Sequence, residues 1–449
     1  MAGEKAGSRG SAVSRTSRLY PGIVSTRATL RPIPVDDRAW LLAGLADALK
    51  GGAPVLPVGP GLEADEVRAL QQETLPEGTA VLVRTSGSSG VPKAVALSAA
   101  ALVSSAEATH EALGGPGQWL VTLPGHLISG LQMLVRSEVS GIDPVFLDGP
   151  FDPAALLEAC ERMPHPRRYV SLVPVQLSRL LDLAESDPAA ADALRGFAAV
   201  LVGGQAISLP LRQRAHELGV ALRRSYGMTE TCGGCVYDGV EIGDTLVRVR
   251  DGEVQLAGPC LALGYVGDEA LTAARFVEDR GTRWYRTGDA GELLGGMLTV
   301  TGRLDRVIVS GGVNVSLDEV ERVAGALPGW EGVVALGVPH PEWGERPALV
   351  REISAPMPAD PSRVSSKWSP GGDSSPLSAH PGVVGGSGNE DRATFDEVRA
   401  EVGRVLGPAA APEWATDTEA LPRLPGGKPD LPAIERWIGE LRDSFARWS

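Results

Sequence analysis

The sequence predicts an α/β protein, with a large N-terminal domain of mixed and parallel sheets flanked by helices and a small α+β domain at the C-terminus. Three observations carry that expectation. At 449 residues the chain is too long for one core, and 43% of its residues are hydrophobic, ample to bury two. From about Trp40 to Thr301 short apolar strands alternate with helical stretches, the pattern of a mostly parallel sheet with helices on its faces. Beyond it, residues 317–327 and 394–406 read as helices and residues 332–337 as a strand.

Taken in order, residues 1–20 carry Lys5, Arg9, Arg15 and Arg18 among Ser and Gly without an apolar core, so a disordered tail is expected rather than a secretory signal. Residues 21–302 form the expected large domain. Within it, residues 80–83 and 94–97 read as two strands bracketing a tight loop. Residues 169–173 read as a strand, 175–184 as a helix and 198–202 as a strand. That last strand ends in Gly203-Gly204, where an open α/β sheet usually places ligand. Residues 303–449 form the small domain, and its segment 354–392, rich in Pro, Ser and Gly without hydrophobic periodicity, is expected to be a disordered insertion.

Composition narrows the function classes. A net charge of −14, with 42 basic residues spread along the chain, argues against nucleic acid or an anionic membrane as the main partner. No run approaches 18 apolar residues, so no integral membrane segment is expected. Cys160, Cys232, Cys235 and Cys260 are too few and too uneven for a disulfide framework, which fits the cytoplasm. Cys232-Gly-Gly-Cys235 has the spacing of half a zinc site or a redox pair, yet no second Cys pair or nearby His completes the set. The other reading is packing, with small residues letting the backbone run close under a bound group.

The loop Thr85-Ser-Gly-Ser-Ser-Gly-Val-Pro-Lys93 is the most telling stretch. Gly87 and Gly90 open backbone conformations closed to other residues, Thr85, Ser86, Ser88 and Ser89 offer hydroxyl donors, and Lys93 adds a point charge. Phosphate oxygens suit that set, and ATP chemistry follows. The common Gly-x-x-x-x-Gly-Lys-Ser/Thr signature is absent, because Pro92 precedes the lysine and Ala94 follows it. A Ser/Gly run alone also reads as a flexible linker; the bracketing strands favour the phosphate loop.

Four more segments follow in a fixed order. They are Ser225-Tyr-Gly-Met-Thr-Glu-Thr231, Tyr285-Arg-Thr-Gly-Asp289, Gly302-Arg-Leu-Asp-Arg-Val-Ile308 running on to Ser310-Gly-Gly312, and Pro422-Arg-Leu-Pro-Gly-Gly-Lys428. With the loop they resemble the adenylate-forming superfamily of acyl-CoA synthetases, luciferases and peptide-synthetase adenylation domains, across most of the chain. Residues 123–136, 171–177 and 227–238 resemble in particular the o-succinylbenzoate–CoA ligases of menaquinone biosynthesis, in the short form typical of actinobacteria.

The resemblance implies ATP, Mg²⁺ and CoA, an acyl-AMP intermediate, and a small domain that moves. It implies that the loop holds the β- and γ-phosphates, Glu230 the Mg²⁺ and Thr229 the α-phosphate, while Lys428 bridges carboxylate and phosphate. Gly203 and Gly204 would flank adenine, and Tyr226 would stack on it, although a core tyrosine would look the same. Asp289 would accept from the ribose hydroxyls with Arg303 beside it; by itself an aspartate there also reads as a turn residue. Lys428 alone would read as a solvated lysine in a Pro/Gly loop. Asp305 falls at the family's hinge, and Gly311 and Gly312 would line the pantetheine tunnel.

o-Succinylbenzoate carries a second carboxylate, which Arg136 would hold bidentately. His126, otherwise a satisfied core histidine, would line the substrate together with Gly227 and Met228. The loop starts earlier than in most superfamily members, so the N-terminal part is shortened, and a homodimer contact would cover the edge this exposes. Other readings keep the chemistry but change the acid to another aromatic or medium-chain one, or pass the acyl group to a carrier protein.

Overall fold

In the computed structural model, residues 25–26, 29–85, 92–353, 392–424 and 428–446 are described. The expected tail, the insertion other than Arg392, and Ser86, Gly87, Ser88, Ser89 and Gly90 of the loop lie outside them.

A seven-stranded sheet organises the large domain, in the order Val240–Glu241, Gly233–Tyr237, Leu222–Met228, Ala199–Gly203, Arg168–Leu172, Gln118–Val121, Val145–Phe146. The strands from Val145–Phe146 to Leu222–Met228 run parallel. Their connections are helices that start on local signals. Asp152 caps Pro153–Glu161 through the Ala155 N–H, and Ser208 caps Leu209–Glu217 through the Leu211 N–H. Pro174–Ser186 opens on proline, with Gln176 accepting from the Val173 N–H at 3.0 Å. Apolar residues fill both faces, with Trp119, Leu131 and Tyr169 on one and Leu120, Leu177 and Leu181 on the other.

A second, five-stranded sheet carries the phosphate-loop hairpin. Thr79–Thr85 pairs antiparallel with Lys93–Ser98, and Thr85 stands opposite Lys93. The short strand Gly264–Tyr265 adds to the outer edge of Lys93–Ser98.

The alternation read as far as Thr301 stops earlier in the structure. After Leu222–Met228 the chain reverses into Gly233–Tyr237, and residues 246–303 build an antiparallel sheet from Leu246–Arg250, Glu253–Ala257, Thr282–Leu294, Phe276–Asp279 and Met297–Arg303. The physical reason is connection length: turns such as Asp251-Gly252 and Arg280-Gly281, with positive φ at both residues, close hairpins, whereas a parallel return needs a crossover.

The small domain is a further sheet of Val313–Ser316, Val307–Ser310, Gly344–Glu352, Val334–His340 and Ala415–Thr418. Leu317–Ala324 and Phe395–Leu406 pack on it around Val320, Trp330, Leu349 and Val398. Ser316 caps the first helix, and Thr394 with Glu397 forms a capping box on the second, so both helices begin where the sequence places them. The first is shorter than read, ending at Ala324 before a turn through Leu327. No helix among the described residues is long and apolar enough to cross a membrane.

Candidate active site

The end of the Leu222–Met228 strand, the 3₁₀ turn Thr229–Thr231 and the turn after Ala199–Gly203 lie at the carboxyl edge of the main sheet. Gly227 is there because nothing larger fits. A Cβ on it would lie 2.1 Å from the Gly233 carbonyl oxygen, in the irregular pairing that lets Met228 stand opposite Gly233. We expect Gly227→Ala to lower unfolding stability by about 1–3 kcal/mol or more, since backbone has to move; a urea titration measures it.

Thr229 and Glu230 are buried. The Tyr265 hydroxyl donates to Glu230 Oε1 at 2.8 Å, and the Tyr285 hydroxyl lies 3.4 Å from that of Tyr265. Among the described residues no cationic side chain is within ion-pair distance of Glu230, so a buried carboxylate is left with one neutral donor. Lys93, on the facing strand, holds its ammonium 5.7 Å from the centre of the Tyr265 ring.

The second group is built on Asp289, buried near the centre of Thr282–Leu294. Tyr226 donates to its Oδ2 at 2.6 Å and Arg303 to its Oδ1 at 3.0 Å. Arg303 also grips Asp305 with two bonds of 2.8 and 3.0 Å, so one guanidinium joins Asp289 to the expected hinge residue. Burial, then the Asp289 charge, pushes the Tyr226 phenol well above its usual range. The Arg303 bond holds the Asp305 carboxyl below its usual range.

Lys428 joins this group from the small domain. Its Cε lies 3.8 Å from where a Gly204 side chain would begin, and Gly204 has φ +82°. Burial, with the Arg303 charge adding to it and Asp289 opposing, holds the Lys428 ammonium below the usual lysine range. The protonated form is the one that can bind anions, so it is lost as pH rises through that lowered value. For ATP-dependent pyrophosphate release, kcat/KM is therefore expected to fall on the alkaline side below the ordinary lysine pKa of about 10.4, with this limb missing in Lys428→Ala.

The third group lines the helix Ile128–Ser140. Arg136 is 3% exposed, its guanidinium 4.8 Å from the centre of the Trp119 ring. Among the described residues no carboxylate pairs with it, and burial lowers its pKa. Its Nε, the Trp119 indole nitrogen, His110 Nε2 and Gln132 Oε1 are all buried without hydrogen-bond partners. Burial and the Arg136 charge lower the His110 pKa to about 4. Gln132 reaches within 3.1 Å of the space over Gly233, which connects this wall to Gly227 and Met228. His126 packs its ring against Gly59, with both ring nitrogens buried and without partners among the described residues, and burial lowers its pKa.

Gly311 and Gly312 form the turn between Val307–Ser310 and Val313–Ser316. A Gly311 side chain would meet the Trp343 ring at 2.5 Å, whereas one on Gly312 would meet nothing within 4 Å among the described residues. The structure thus brings Gly204, Tyr226, Asp289, Arg303, Asp305 and Lys428 together, and keeps this turn on the small domain's own sheet.

The AMP-binding enzyme profile matches residues 58–294, more than half of the chain. The chain belongs to the AMP-binding enzyme family. Among its relatives, the probable 2-succinylbenzoate–CoA ligase of Mycobacterium tuberculosis H37Rv is 35% identical over 412 residues, 90% of this chain and 96% of that one. The 2-succinylbenzoate–CoA ligase of Escherichia coli K12 is 32% identical over 70% of this chain and 76% of its own length. The o-succinylbenzoate CoA synthetase of Bacillus subtilis in complex with its acyl-adenylate intermediate superposes with a TM-score of 0.63 at 24% identity, over 88% of this chain and 79% of that one. The amide bond synthetase McbA of Marinactinospora thermotolerans gives 0.64 at 25% identity, over 91% and 80%.

In this AMP-binding enzyme, sequence reading missed Tyr265, Trp119, His110 and Gln255-linked Glu253, whose carboxylate accepts from the Gly288 N–H at 3.1 Å and so shapes the turn before Asp289. Tyr265 sits on a two-residue strand with no motif of its own; only the pairing with Lys93–Ser98 brings it to the site. All four cysteines are free and buried, and burial raises the pKa of Cys232, Cys235 and Cys260 and moves that of Cys160 to about 11.

Proposed function

We infer that this AMP-binding enzyme ligates o-succinylbenzoate to CoA through an acyl-adenylate, with ATP consumed to AMP and pyrophosphate, as a step of menaquinone synthesis. The observation that carries the choice of acid is Arg136, a buried guanidinium with no carboxylate beside it among the described residues. A stable core rarely keeps such a charge, and a substrate carboxylate would complete it. The succinyl carboxylate is then free to react at the other end.

In the adenylation step a carboxylate oxygen attacks the α-phosphorus and pyrophosphate leaves. Lys428 would lie between carboxylate and phosphate and offset the growing negative charge. Asp289, held by Tyr226 and Arg303, would accept from the ribose hydroxyls, and Thr229 would contact the α-phosphate. Lys93, with Ser86, Gly87, Ser88, Ser89 and Gly90, would hold the outer phosphates. A bound Mg²⁺ would neutralise phosphate charge, and Glu230, a buried carboxylate with no cation beside it among the described residues, has the chemistry to hold it.

In the thioester step the CoA sulfur displaces AMP. Lys428 then occupies the path of the thiol, and turning residues 303–449 about Asp305 would remove it and bring Gly311 and Gly312 forward. Buried, unpaired cysteines fit a reduced cytoplasm, and the edge left by the short N-terminal part would be covered by a homodimer contact.

Incubation with ATP, Mg²⁺, CoA and a panel of acids, with products identified by mass spectrometry, tests the reading. o-Succinylbenzoyl-CoA is the expected product. An acyl-CoA made selectively from a monocarboxylic acid would keep the mechanism and overturn the substrate.

A further inference from the structure

Lys93 opens a strand of the second sheet and Glu230 lies in the 3₁₀ turn that follows Leu222–Met228 of the main sheet, and the segment 262–266 ties them together. The Ala262 N–H donates to the Glu230 carbonyl at 2.8 Å. The Leu263 and Val266 N–H groups donate to the Ala96 and Ala94 carbonyls at 2.8 Å, and Tyr265 pairs with Val95. The segment is itself clamped, since Arg283 donates to the carbonyls of Ala262 and Leu263 at 2.7 and 2.8 Å. At its centre Tyr265 presents its ring face to the Lys93 ammonium and its hydroxyl to Glu230 Oε1.

We propose that Tyr265 is a positioning residue for the polyphosphate grip: its hydroxyl fixes the rotamer of the metal-binding carboxylate of Glu230, while its ring sets how far Lys93 stands from it. Several features point this way. Glu230 receives no other side-chain hydrogen bond among those described, so Tyr265 alone orients it. The hydroxyl occupies one carboxylate oxygen and leaves the other for a cation, the usual arrangement of a hydrogen-bonded metal carboxylate. Tyr265 is packed against Phe276 with ring centroids 5.9 Å apart and is buried, so it has little freedom to do anything else.

The inference rests on the ATP-dependent reading above but needs neither the acid nor CoA, so its test stands apart from the choice of substrate. Mn²⁺ binding is measured by electron paramagnetic resonance in the presence of α,β-methylene-ATP, for the parent enzyme, Tyr265→Phe, Glu230→Gln and the double variant. Tyr265→Phe keeps the ring under Lys93 and is expected to weaken Mn²⁺ binding about tenfold. In the Glu230→Gln background it is expected to change nothing further, because residues acting through one group are not additive.

Unchanged Mn²⁺ affinity in Tyr265→Phe would overturn the proposal. So would a loss that adds in full on Glu230→Gln, or a Tyr265→Phe chain that does not fold, since either result would make the hydroxyl structural.

Discussion

Replacing Lys428 by alanine is expected to lower acyl-adenylate formation by about 10²–10³-fold, the range found when a single group stabilising developing charge is removed. Thioester formation from acyl-adenylate supplied ready-made should change by less than about tenfold, because only the first step needs a cation between carboxylate and phosphate. Following pyrophosphate release and CoA-thioester formation separately in one preparation reads both. Equal losses in the two steps would place Lys428 in general nucleotide binding instead. The structure favours separation, since Lys428 reaches the site from the small domain and lies over Gly204 rather than inside the large-domain core.

Arg136→Met is expected to divide activity from stability. For o-succinylbenzoate, kcat/KM should fall about 10²- to 10³-fold, the cost of leaving one partner of a buried charge pair alone, about 3–5 kcal/mol. ATP binding should be unaffected, because Arg136 lies against Trp119 on Gln118–Val121, which two strands of the main sheet separate from Leu222–Met228, whose Tyr226 holds Asp289. Without substrate the variant should be as stable as the parent or more so, by up to about 4 kcal/mol, since an unpaired guanidinium leaves the core and methionine fills the same space. Thermal unfolding with and without the acid checks this: the parent should gain stability from o-succinylbenzoate with ATP, and Arg136→Met should not. A destabilised variant with unchanged acid use would make Arg136 a packing residue.

Local signals carried most of the fold. The alternation of short apolar strands and helical stretches marked the parallel sheet, and the periodicity over residues 394–406 marked Phe395–Leu406 within one residue. The reversal after Met228 was harder to read, because Gly233–Tyr237 and Glu253–Ala257 are as short and apolar as the parallel strands, and what marks the antiparallel sheet is two-residue turns such as Asp251-Gly252. At the site, Asp289, Arg303 and Lys428 were legible because each sits in a motif with fixed neighbours. Tyr265 and Trp119 were not, because what they do comes from sheet pairing across residues far apart in sequence. His126, expected from the resemblance to line the substrate, packs its ring against Gly59, a neighbour no spacing rule could supply.

The buried thiols have a practical consequence at the bench. A thiol reacts as its thiolate and only where reagent can reach it, and here burial withholds both. A disulfide reagent added to undenatured samples withdrawn from the reaction should therefore count free CoA alone, even with protein present in equal amount, so the falling colour from one sample to the next follows turnover. The same silence leaves the surface open to labelling: a cysteine placed at Val309, half exposed on the small domain, would be the one reactive position on an otherwise unreactive chain, and a dye there would report whether that domain turns.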